Sequence, residues 1–243
     1  VFIVPDWPAP ANIKAVSTTR EGGISLQPYQ GLNLGLHVGD NIEHVQCNRT
    51  QLQQELGLAE SPAWLNQTHS TTVIGVNAPL AATPDADGSY TRVADIACAV
   101  MTADCLPILL CDSAGTQVAA VHAGWRGAAD GIIEAALDTF HAPADQILAW
   151  LGPAIGPNAF EVGNEVREQF VADLPQAEQA FKPYGDKWLA DLYVLARQRL
   201  YRAGVSKIYG GDFCTFSSPE RFYSYRRDGV TGRQASLIWI TSQ

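Results

Sequence analysis

VAAVHAGWRGAADGIIEAALDTF, residues 118–140, sets the architecture of this chain. VAAVH is a short continuous apolar run, AGWRG follows at once, and Ile132, Ile133, Ala136, Leu137 and Phe140 then recur at helical spacing. The segment therefore reads as a strand, a glycine turn and a helix. His122 stands at the strand-to-helix junction. Gly124 and Gly127 let backbone come close to a ligand, and the first N–H groups of the helix together with Arg126 offer an anion site. An ordinary tight turn with a surface arginine gives the same pattern.

Outward from this segment, apolar runs predict strands at 64–76, 96–101, 106–111, 117–122, 147–152, 207–210 and 236–240. Helices are expected in three places. GDNIEHVQCNRTQLQQELGL (39–58) carries Asp40 or Asn41 as N-cap and Gly57 as stop; a second helix falls within 160–174, and a third within 186–204, where Leu189, Leu192, Tyr193, Ala196 and Leu200 share a face. Residues 77–91, rich in proline, glycine and aspartate, read as a surface loop with Asp87 as a turn residue before Gly88. Residues 173–187 read as a loop or a short extra helix. Many strands with few intervening helices predict an α/β (α+β) fold, with mixed β-sheets forming a layered sandwich covered by helices, in one domain spanning 1–243.

Three distant residues stand at the ends of apolar runs: His69 in NQTHS, Cys105 in MTADCLP and His122 in VAAVHAGWRG. Two imidazoles and a thiolate suit zinc, and three protein ligands leave the fourth tetrahedral position open for water or substrate. Separations of 36 (105 minus 69) and 17 (122 minus 105) match no compact zinc-finger spacing. Cys105 as a small buried hydrophobe, with satisfied histidines elsewhere, is the plain alternative. Thr102 and Asp104 interrupt two apolar strands, which is costly unless they are paired or face a cleft. Gln67 shares a strand face with His69.

Composition narrows the classes. With 47% hydrophobic and 17% charged residues, the 243-residue chain has material for a sizeable core. A net charge of −9 without any lysine-rich run argues against a nucleic-acid partner, and phosphate has to be drawn in by local arginines. No apolar segment is long enough for a membrane helix, and the opening VFIVPDWPAP lacks the pattern of a signal peptide. Five cysteines, at 47, 98, 105, 111 and 214, cannot all pair and read as reduced, cytoplasmic thiols.

The segments LNLGLHVGDN (32–41), WLNQTHS (64–70), VMTADCLPILL (100–110), VAAVHAGWRG (118–127), WLGPAIGP (150–157) and FYSYRRDGVTGR (222–233) resemble the YfiH-like family, long labelled polyphenol oxidase or laccase-domain proteins. The resemblance runs over essentially the whole chain. It implies zinc on His69, Cys105 and His122, and phosphorolysis of purine nucleosides, including methylthioadenosine, with deamination of adenosine. It also implies a fold shared with a toxin deamidase that uses a Cys–His pair.

Phosphorolysis needs a phosphate beside C1′ of the ribose, so arginines are the residues to look for. Arg126 is the first candidate, with Cys105 and Arg126 as the catalytic pair. Arg20 and Arg49 come next, and Arg226 or Arg227 could close the site. Asn33 and Gln67 are candidates for contacts to base or sugar. The partners expected are a purine nucleoside and phosphate, with the oligomeric state open.

Other readings remain. Cys105 with a histidine base would make a cysteine hydrolase, linked through relatives to the editing of peptidoglycan precursors. A zinc-stabilised binding module would need a fourth protein ligand, for which His37 is the nearest-looking candidate. Copper can replace zinc by intrinsic affinity. The five histidines, at 37, 44, 69, 122 and 141, include no H-x-H pair, so a multicopper oxidase centre lacks ligands.

Overall fold

The computed structural model describes residues 2–242. In chain order it contains β1 (Phe2–Ile3), β2 (Ile13–Thr18), α1 (Ile42–Glu55), β3 (Val73–Gly75), β4 (Gly88–Thr91), β5 (Cys98–Thr102), β6 (Leu106–Asp112) and β7 (Val118–Ala123). Then follow α2 (Trp125–Asp130), α3 (Ile132–Leu137), β8 (Ile147–Leu151), β9 (Glu161–Val162), α4 (Asn164–Asp173), β10 (Phe181–Tyr184) and β11 (Lys187–Ala190). The chain ends with α5 (Leu192–Arg202), β12 (Lys207–Gly210), α6 (Tyr225–Asp228) and β13 (Gln234–Ile240).

Two sheets carry the fold. A mixed sheet runs β12-β8-β6-β7-β4-β3, and an antiparallel sheet runs β1-β2-β13-β5. The period of two along each strand sorts side chains into layers. Leu106, Ile108 and Leu110 of β6, with Ala119 and Val121 of β7, pack against Ile132, Ile133, Leu192 and Leu200 of the helices. Leu109, Cys111, Val118 and Ala120 point the other way and meet Ile13, Cys98, Val100, Ile238 and Ile240 of the second sheet. The outer face of that sheet, with Val16, Ala99, Met101 and Leu237, is covered by Leu32, Leu34, Leu52 and Leu58. The result is the expected α/β layered sandwich, with helices outside and two sheets inside. At roughly 25 cal/mol per Å² of buried apolar surface, the burial of β6 and β7 on both faces stabilises the core from two sides.

Local signals explain the helix ends. Asn41 caps α1 by accepting from the Glu43 amide at 2.8 Å, and Gly57, at φ +66°, follows its end. The expected helix after the glycine turn is two helices. Gly131 adopts φ +104°, closing α2 with its amide on the Gly127 carbonyl and opening α3. The third expected helix starts later than its apolar spacing suggested. Asp191 accepts from the amides of Tyr193 and Val194 and so caps α5, while Lys187–Ala190, with Leu189, is a strand paired to β10.

Two further corrections concern the site. The 77–91 loop ends in a strand, since Gly88–Thr91 pairs with Val118–Val121 of β7. The long strand expected at 64–76 shrinks to Val73–Gly75, because His69 sits at φ +62° and breaks extension. Residues 173–187 form a 3-10 turn (Pro175–Ala180) followed by β10.

Candidate metal centre

β5 leaves the antiparallel sheet at Thr102, crosses through Ala103, Asp104 and Cys105, and enters the mixed sheet as β6. This crossover puts Cys105 at the end of the sandwich. His122 lies one turn of the pleat beyond Ala120, opposite Pro107, and its parity directs it to the space between the sheets. The donor atoms of His69, Cys105 and His122 all lie within 4.8 Å of one another. The Cys105 sulfur is 3.9 Å from Nε2 of His69, and the two imidazole centroids are 4.9 Å apart. Tetrahedral N and S ligands around zinc lie roughly 3.3–3.8 Å apart, so the trio needs only a small contraction to hold an ion.

Asp87 organises these ligands. It is fully buried and accepts Nδ1 of His122 at 2.8 Å, which directs Nε2 away from Asp87. The same carboxylate accepts the successive amides of Thr68, His69 and Ser70 at 3.1, 3.0 and 2.6 Å. Three amides can converge on one carboxylate because His69 adopts the left-handed conformation. The sequence predicts a turn residue at Asp87. The structure instead has the Asp87 carbonyl accept the His122 amide at 2.7 Å, continuing the β4–β7 ladder and bringing the two side chains together. Only the strand register connects them; no local motif does.

Gly124 makes room for the trio. A β carbon there would stand 2.8 Å from Cδ2 of His69 and 3.2 Å from the Cys105 sulfur. The glycine serves space, since its φ of −60° is open to any residue.

Burial alone raises the Cys105 thiol, but the charge of His122 and hydrogen bonds from His122 and His69 outweigh it, bringing it down to about 6. Burial disfavours a charged His122, and the opposing pull of Cys105 and Asp87 lifts it to about 9. Asp87 is disfavoured as an anion by burial, yet hydrogen bonds from His122 and Ser70 hold it well below the usual carboxylate range. The structure thus favours a thiolate next to an imidazole that is anchored by a carboxylate.

The trio forms the floor of a cavity of about 520 Å³. Its walls include His37, Thr102, Asp104, three aromatic residues (Trp125, Phe160 and Tyr225) and three arginines (Arg126, Arg226 and Arg233). His37 lines the wall but stands outside the donor cluster, which among the described residues holds three ligands. Asp104, at φ +97°, is turned to protein, with Oδ1 on the Thr215 hydroxyl and Oδ2 on the Arg226 amide, each at 2.6 Å.

The other candidates divide. Arg126 faces the cavity, stacked 4.4 Å over Trp125. Gln67 also lines it, with both carboxamide atoms bonded to the Met101 backbone at 2.7 Å. Asn33 is fully buried and holds Asp40, Gly35 and Arg233. Arg49 lies behind the wall, over Trp64 and bonded to the Leu34 carbonyl. Arg20 lines a separate, larger depression of about 810 Å³ that shares no residue with the metal cavity. Arg227 is bonded to Asp228 and to the carbonyls of Thr215, Phe216 and Phe222. Arg233, which the sequence reading did not select, is in the cavity wall.

Residues 14–241 match the protein family described as multi-copper polyphenol oxidoreductase laccase. A Shigella flexneri protein called purine nucleoside phosphorylase YfiH is 54% identical over 239 residues, covering 98% of both chains. A Pseudomonas aeruginosa purine nucleoside phosphorylase is 52% identical over 241 residues, again covering 98% of each. Among solved structures, a Neisseria meningitidis protein superposes with a TM-score of 0.96 at 53% identity, covering 99% of both chains. YlmD from Geobacillus stearothermophilus superposes at 0.92 with 32% identity, covering 97% of this chain and 94% of that one.

Proposed function

The chain belongs to the YfiH-like family, described as multi-copper polyphenol oxidoreductase laccase, and on that footing we propose that it is a zinc-dependent purine nucleoside phosphorylase. The carrying observation is the three-donor cluster at the floor of a cavity walled by aromatic rings and guanidinium groups. Relatives at 54% and 52% identity named purine nucleoside phosphorylase support the substrate class.

His69, Cys105 and His122 hold the metal in this reading, with Asp87 fixing the His122 ring. A divalent ion held there would act as a Lewis acid and would lower the pKa of a nearby water. Trp125, Phe160 and Tyr225 offer apolar faces to a planar base. Arg126 faces the cavity and draws in phosphate against the net charge of −9. A phosphate oxygen then bonds to C1′ as the C1′–N9 bond breaks, and the purine leaves with the bonding pair and takes up a proton. Gln67 shapes the wall through its bonds to Met101, and Asn33 shapes it through its bond to Arg233. Adenosine deamination and methylthioadenosine cleavage belong to the same proposal, as does residence in the cytoplasm, which rests on the reduced cysteines read from the sequence. Among the described residues, no helix is long and apolar enough to cross a membrane.

The test measures zinc per chain together with phosphate-dependent release of free base from inosine, adenosine and methylthioadenosine. About one zinc per chain with phosphate-dependent turnover is expected. A metal-free protein without turnover but with a reactive Cys105 would move the reading to a cysteine hydrolase, which the lowered thiol pKa favours.

A further inference from the structure

The metal cavity borders a second depression of about 560 Å³, and the two share His37, Tyr225 and Arg233. Arg233 stands at the junction. Its stem lies against Gly35, where a β carbon would come within 2.9 Å of the arginine Cγ. Its amide donates to Oδ1 of buried Asn33 at 2.9 Å. Its Nη1 donates to the carbonyls of Thr231 and Gly232 at 3.1 and 2.9 Å. Among the described residues, Nε and Nη2 have no protein acceptor and no carboxylate pairs with the guanidinium.

Several arginines in this chain are instead paired with carboxylates. Arg199 is bonded to Glu134 and Asp173, Arg167 to Glu178 and Arg227 to Asp228. The one carboxylate lining the cavity, Asp104, is turned to Thr215 and to the Arg226 amide. A half-buried cation without a fixed counter-ion costs desolvation that a bound anion offsets. Two hydroxyls belong to the linings: Thr102 lines one depression and Thr231 the other, both are buried, and neither Oγ1 has a partner. Thr102 pairs with Gln234 across the β5–β13 ladder, one residue from Arg233.

We propose, resting on the phosphorolysis reading above, that Arg233 is a second guanidinium, beside Arg126, that holds inorganic phosphate. Its open Nε–Nη2 edge takes two phosphate oxygens in the fork geometry that guanidinium and phosphate share. Thr102 and Thr231 are the hydroxyls that can turn toward the remaining oxygens. Asn33 is then a positioning residue, acting through the Arg233 backbone.

The test is calorimetric titration of the metal-loaded protein with inorganic phosphate, in wild type and Arg233→Gln, beside zinc content and phosphate and nucleoside KM. Arg233→Gln is expected to weaken phosphate binding and raise the phosphate KM by roughly 10–100-fold, leaving zinc content and nucleoside KM unchanged. Should that variant not fold, Arg233→Met, which keeps the stem over Gly35, is read the same way. Unchanged phosphate affinity in the folded variant, or a wild type that binds no phosphate, overturns the inference. Phosphate binding through Arg233 in a protein that cleaves no nucleoside would overturn the phosphorylase reading and leave the anion site standing.

Discussion

Asp87 accepts the Nδ1 proton of His122 at 2.8 Å, from a position with no solvent exposure. The bond selects the tautomer whose Nε2 lone pair can bind a metal, and the amides of residues 68–70 keep the acceptor charged. Asp87→Asn removes the charge and offers an amide where the amides and the imidazole need an acceptor. Zinc affinity should fall about 10–100-fold, read by competition with a chelator. An affinity within twofold of wild type would sink the role given to Asp87.

Gly124 tests whether space at the ligands matters. Gly124→Ala places a methyl group 2.8 Å from the His69 ring and 3.2 Å from the Cys105 sulfur, closer than ordinary contact. The backbone conformation tolerates alanine, so the damage should be local. Zinc binding is expected to weaken by at least tenfold with the secondary structure retained by circular dichroism. Normal zinc content and turnover would show that the ligands shift freely.

The two cysteines of β6 and its approach should behave oppositely. Cys105→Ala removes a ligand at the sandwich end and should abolish zinc retention and turnover while the fold persists. Cys111 is fully buried between the sheets, where burial pushes its thiol up to about 12. Cys111→Ala should keep zinc and activity and cost about 1 kcal/mol of stability, the scale of a small cavity. Denaturant midpoints and metal analysis on both variants separate the two roles, and full activity in Cys105→Ala refutes the site.

Much of this was legible because it is local. VAAV and LPILLC are apolar at every position, which marks strands buried on both faces, and Asn41 and Gly57 frame α1 by standard end chemistry. Asp87 was hidden because DADGSY looks like any turn, and its partner lies 35 residues away across a strand pair. Arg233 was hidden for a related reason: what marks it is a half-buried guanidinium at the junction of two depressions that bonds protein through Nη1, which only the packing reveals. Leu189 misled because its spacing to Tyr193 is helical, whereas Asp191 between them caps the helix and leaves Leu189 in β11.

In the metal-free protein the thiolate of Cys105, lowered to about 6, faces His122, raised to about 9. Cys105 has a depressed folded pKa, so its contribution to stability is present at high pH and is lost as pH falls through about 6. His122 has a raised one, so its contribution is present at low pH and is lost as pH rises through about 9. The pair is therefore jointly charged between about 6 and 9. Alkylation of Cys105 by iodoacetamide should rise with a midpoint near 6 and stay nearly flat from 7 to 8.5, whereas an unperturbed thiol would still be climbing there. Adding zinc should suppress the reaction, because a ligating sulfur is a poorer nucleophile. A midpoint near 8.5 in the metal-free protein, or no protection by zinc, would contradict the pairing and the ligand assignment respectively.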